Sequence, residues 1–154
     1  MVRMRMIALL AVLVLCAGSA MAAVVYEAEL LVDNVIGGCD CGAYGQATLI
    51  VNDEATMASL TLNFAGLQSA QTGAALLVGA EDAVGTMLLE LAVGSPLATT
   101  IDYTPELDAA LANDELIIQV YSENCPDGAT RGSFVFVTVG VEAHTWSNVK
   151  AMFN

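Results

Sequence analysis

Hydrophobic and polar residues alternate along most of this chain with the period of two that a half-buried strand requires. Over residues 25–35, Tyr26, Ala28, Leu30 and Val32 take turns with Glu27, Glu29, Leu31 and Asp33. Gly37, Gly38 and Gly42 interrupt the pattern, and residues 45–52 resume it with Ala47, Leu49 and Val51 on one face. Asn52-Asp53-Glu54 reads as a polar turn. Residues 59–67 then set Leu60, Leu62 and Phe64 against Ser59, Thr61 and Asn63, predicting an antiparallel pair with the preceding strand.

Residues 74–79 and 86–92 are apolar at nearly every position except Glu90, as in strands covered on both faces. Gly94 and Pro96 punctuate the chain. Thr104-Pro105-Glu106, with Leu107 and Leu111, predicts a short helix with Thr104 as its cap and Pro105 at its first position. Two further β-prone runs, 116–121 and 133–139, flank Pro126, Asp127, Gly128 and Gly132, and read as a hairpin with a long loop. In the tail, 141–154, the spacing predicts a final helix with Thr145 as its cap and Trp146, Val149, Met152 and Phe153 on one side. Together these elements predict an all-β fold: an antiparallel β-sandwich or Greek-key-like barrel with one short helix and a C-terminal helix. Leu60, Leu62, Phe64, Leu116, Ile118 and Val120 are expected to face one interior.

The N-terminus has a different character. Arg3 and Arg5 precede an unbroken apolar run over 6–17, and Ala20-Met21-Ala22 supplies small residues at the positions signal peptidase reads. The run is shorter than the ~20 residues needed to span a bilayer. Residues 1–22 therefore read as a signal peptide, 23–140 as one β domain and 141–154 as a tail. The expected location is secreted, periplasmic or extracellular, with no stable membrane span after cleavage. Cleavage leaves Arg131 and Lys150 as the only Lys or Arg residues against 17 acidic ones. That balance excludes nucleic acid as a partner, because its phosphates would be repelled.

Cys39, Cys41 and Cys125 remain after cleavage, in a compartment where disulfides persist. Cys39 and Cys41 are too close in sequence to pair comfortably with each other in an extended segment. A bridge from one of them to Cys125 would close a loop of roughly 85 residues, worth about 4–5 kcal/mol in the chain-entropy model. Cys41 is favoured over Cys39 because it lies nearer the next strand, and the third sulfur stays a thiol. Three thiols and the distant His144 match no usual zinc spacing, so no metal site is assigned.

Several segments resemble the CHRD domain, the module repeated in chordin and common in secreted bacterial proteins. Phe64-Ala65-Gly66-Leu67 is similar to the family's strand ending in Gly-Leu. Gly73-Ala74-Ala75 with Gly79 stands where the family places Ala-His-Ile-His-Gly. Residues 107–111 resemble its short helix, and 116–122 its penultimate strand. Pro126-Asp127-Gly128 with Arg131-Gly132 is similar to its Pro-x-Gly-x-x-Arg-Gly pattern. The resemblance runs over 26–137 and implies a β-sandwich or barrel. It also marks departures: Leu76, Val78 and Tyr121 replace three histidines, and Ala129 replaces a glutamate. Imidazole chemistry is thereby lost. Pro126, Gly128, Arg131 and Gly132 read as a structural loop, with Arg131 paired to a carboxylate such as Glu115 or Asp127.

Three functions compete. A secreted, non-catalytic binding or structural module with an extracellular protein or matrix partner fits best. An enzyme would need a convergent catalytic set; the carboxylate pairs Asp53-Glu54, Glu81-Asp82 and Asp114-Glu115 lie in turns, and His144 lies outside the domain. No catalytic residue and no cofactor are assigned. The third is a calcium-dependent matrix or adhesion protein using the acidic turns, which calcium titration against a magnesium control would separate from the first.

Overall fold

The computed structural model describes residues 23–137. Its strands are β1 (Val24–Leu31), β2 (Tyr44–Val51), β3 (Met57–Ala65), β4 (Gln71–Val78), β5 (Thr86–Leu91), β6 (Leu97–Asp102), β7 (Leu116–Ser122), β8 (Cys125–Ser133) and β9 (Val135–Val137). One helix, α1 (Pro105–Ala112), lies between β6 and β7. All strand pairs are antiparallel, in the order β5-β4-β7-β8-β1-β2-β3-β6, with β9 also on β1. The fold is all-β as expected, but it is one curled sheet rather than two stacked ones. The segments expected to form a C-terminal helix and a signal peptide lie outside the described residues.

Curling makes the inner face of the sheet concave and gathers the alternating apolar residues there. Leu30, Leu49, Leu60, Leu62, Leu76, Leu116, Ile118 and Val120 are fully buried there. Phe64 packs at the margin of the same cluster. The predicted register of β3 and β7 is therefore the observed one. Helix α1 plugs the interior with Leu107, Ala110 and Leu111. The Thr104 hydroxyl accepts from Leu107 N at 3.3 Å, as its sequence position predicts.

Four elements differ from the sequence reading. The first strand ends at Leu31, and Val32–Asn34 forms a 3-10 turn that redirects the chain toward the cysteines. Strand β6 was not expected between Gly94 and the helix. Strand β4 is covered on both faces, but β5 is an edge strand with Met87 and Leu89 exposed. Finally, the long loop does not exist. β7 and β8 meet at a tight turn through Glu123 and Asn124, and residues 126–132 belong to β8.

Tyr103 fastens the helix to the end of β6, its hydroxyl donating to Asp108 Oδ1 at 2.7 Å. Burial, this hydrogen bond and the Asp108 charge all push its ionisation well above the ordinary tyrosine value near 10. The unfolded chain thus ionises first. The stability contributed by the neutral phenol is full below pH ~10 and is lost as pH rises toward the folded value. Melting temperature should fall above pH ~10 in the native chain, and less steeply in Tyr103→Phe; identical alkaline slopes would contradict this linkage.

Candidate functional site

The buried polar centre of the described chain lies on the outer face of β4, β7 and β8. Ala75 pairs with Gln119, and Gln119 with Arg131, in one cross-strand row. Arg131 is only 1% exposed. Its Nη1 donates to Gln119 Oε1 at 3.2 Å and to Val84 O at 3.3 Å, and its Nη2 donates to Ala83 O. The guanidinium therefore clamps the β4–β5 loop onto the sheet. Gln119 Nε2 in turn donates to Asp127 O at 2.7 Å. Burial draws the Arg131 ionisation below its ordinary value, opposed by the nearby Tyr121 and Glu81; an arginine remains a cation at neutral pH regardless.

This corrects the expected partner. Arg131 pairs with neither Glu115 nor Asp127 but with two carbonyls and an amide. Carbonyl oxygens suit a buried guanidinium because each supplies an acceptor without a second charge to desolvate.

The two glycines of the motif explain why it sits in a strand. At Gly128 (φ 135°) a Cβ would fall 2.5 Å from Gln119 Nε2, blocking the amide that Arg131 uses. At Gly132 a Cβ would overlap the carbonyl oxygen of Glu29 on β1. Pro126 lies near the start of β8, exposed beside the hairpin turn. The residues expected to form a structural loop thus form a tight strand seam.

Leu76 points into the core beside Ile118, whereas Tyr121 packs outside against Ala75, Leu77 and Ile117. These positions, where the resemblance places histidines, lie on opposite faces of the sheet in this chain.

Cys39 and Cys125 form the disulfide, with Cα atoms 6.0 Å apart, and Cys41 remains a buried thiol. The bridge to Cys125 comes from Cys39 rather than from the favoured Cys41. Cys41 is turned inward, donating to Ala129 O at 3.1 Å within a small apolar cluster, while Cys39 sits nearer solvent. All three sulfurs lie within 4.8 Å of one another, a convergence that sequence spacing did not indicate.

A separate feature arises where the curled sheet fails to close. β5 and β6 are consecutive, yet β5 pairs with β4 and β6 with β3, leaving two edges facing each other. Their connection is tied back at the end of the sheet: Ser95 Oγ exchanges 2.8 Å hydrogen bonds with Phe64 N and O, and Gly94 N donates to Gln71 Oε1. The gap is a cleft of about 450 Å³ lined by Leu88, Leu91, Leu97 and Ile101, with Glu90 and Asp102 also contributing. Elsewhere, Asp33, Glu81 and Asp82 border one shallow depression.

Residues 26–134 match the CHRD domain family. The chain belongs to the CHRD family. The match spans the sheet from β1 to Phe134 and includes the Arg131 clamp, the two seam glycines and the edge cleft. No curated protein and no solved structure gives a significant match. Among the described residues of this CHRD domain, no helix is long and apolar enough to cross a membrane.

Proposed function

We propose that this CHRD domain is a secreted, non-catalytic binding module that takes an extended segment of an extracellular partner between β5 and β6. The observation that carries this reading is the pair of facing, unpaired strand edges over one apolar cleft. An added strand would satisfy edge N–H and C=O groups while its alternate side chains enter the cleft. Charge indicates the kind of segment. Glu90 and Asp102 flank the cleft in a chain with 17 acidic and four basic residues, so basic residues alternating with apolar ones fit it. The apparent leader and the Cys39–Cys125 bridge suit an oxidising extracellular compartment.

A synthetic alternating Lys–Val peptide is a suitable probe. Calorimetric titration is expected to give binding that weakens about tenfold or more in Glu90→Lys/Asp102→Lys. An alternating Glu–Val peptide should not bind. Equal affinity in the double variant, or no binding to the native chain, would defeat the proposal.

The calcium-dependent matrix or adhesion role is the second reading. Its support is the depression that brings Asp33 beside Glu81 and Asp82.

A further inference from the structure

The three-sulfur cluster has more than a bridge requires. A buried thiol rests within 4.8 Å of both sulfurs of a disulfide. The cluster borders an open pocket of about 270 Å³ whose lining includes Cys39, Cys41, Cys125, Asp40, Asp127 and Gln68. We propose that Cys39, Cys41 and Cys125 form a thiol–disulfide exchange site that accepts small cationic disulfides.

In the first step the Cys41 thiol releases its proton to solvent and its sulfur attacks Cys125 Sγ. A Cys41–Cys125 bond forms as the Cys39–Cys125 bond breaks, and Cys39 leaves with the electron pair as a thiolate. The step is an isomerisation with no net oxidation. The native bridge spans a sequence separation of 86 and the alternative would span two residues fewer, so loop-closure entropy barely distinguishes them. Cys41 and Cys125 already share one buried cluster, so the alternative bridge forms inside the fold. The reactive sulfur thereby moves from buried Cys41 to Cys39, nearer solvent.

In the second step Cys39 attacks one sulfur of an external disulfide, forming a mixed disulfide and expelling the other half as a thiolate. No separate oxidant or reductant is consumed. Asp40 and Asp127 on the pocket favour a cationic reagent over an anionic one.

The test incubates the purified protein with cystamine at neutral pH, quenches with an alkylating agent and maps disulfide-linked peptides. Cysteamine is expected on Cys39, together with a Cys41–Cys125 linkage. Cys41→Ala should keep Cys39–Cys125 and acquire no label. Should that variant fail to fold, Cys39→Ser provides the second reading: it should form Cys41–Cys125 and take no label. Oxidised glutathione, an anion, should label the native chain about tenfold more slowly than cystamine at low salt, with the gap narrowing as salt is added. Label on Cys41 with Cys39–Cys125 intact, no label at all, or labelling of Cys41→Ala would overturn the exchange. Equal rates for the two reagents at low salt would overturn the charge preference.

Discussion

Arg131→Ala is expected to lower stability by about 3 kcal/mol, because it removes one cation from three acceptors at once. Gln119 Oε1 would be left without its donor in a position only 4% exposed. Ala83 and Val84 belong to an exposed loop, so water replaces part of what their carbonyls lose. A loss of this size corresponds to a melting temperature lower by roughly 10 °C for a domain of this length. Arg131→Lys should recover only part of the loss, since an ammonium lacks the planar fork that reaches both loop carbonyls and Gln119. Amide exchange in the β4–β5 loop should accelerate in the alanine variant. Glu115→Gln and Asp127→Asn should each change stability by less than about 0.5 kcal/mol. Should either of those match the arginine variant, the guanidinium would be held by an ion pair after all.

Gly132→Val is expected to be costlier, about 4 kcal/mol or more, and to prevent accumulation of folded protein at 37 °C. Gly132 lies where β8 crosses close to β1, the seam between the β5-β4-β7 and β2-β3-β6 sides of the sheet. A Cβ there would lie 2.8 Å from the Glu29 carbonyl carbon and overlap its oxygen. Neither atom is the movable end of a side chain, so relief requires separating two paired strands. Gly73→Ala is the control. Its new methyl would meet only Tyr121 Cδ2, at an ordinary 3.9 Å, and stability should change by no more than about 1 kcal/mol in either direction. Comparable losses at Gly73 and Gly132 in chemical denaturation would show that the seam is looser than described.

What could be read directly from the sequence was whatever depends on periodicity or a local cap. Leu60, Leu62, Leu116, Ile118 and Val120 announced their face by alternation, and Thr104-Pro105 announced α1 by capping chemistry. Features set by distant neighbours were hidden. Pro126, Asp127 and Gly128 have the composition of a turn, yet their glycine is required by Gln119 across the sheet. Strand β6, Leu97-Ala-Thr-Thr-Ile-Asp, carries a β-prone core that was masked by Gly94 and Pro96 before it and by the helix signal after it. Cys39 and Cys41 differ by two positions, and spacing alone does not show that the Cys41 thiol faces the Ala129 carbonyl while Cys39 meets Cys125. The clamp on Arg131 uses backbone carbonyls, which every residue possesses. No side-chain pattern could have singled out Ala83 and Val84.

The reading of this domain as a strand-accepting module rests on β5 and β6, and amide hydrogen exchange reports on those edges most directly. Exchange should be measured residue by residue on the purified chain, alone and with saturating Lys–Val peptide. The expected result is slowing in Thr86–Leu91 and Leu97–Asp102, strongest at amides unpaired in the free chain, with β1, β2 and β8 unchanged. Slowing confined to other strands, or none at all while the peptide is bound, would contradict the account.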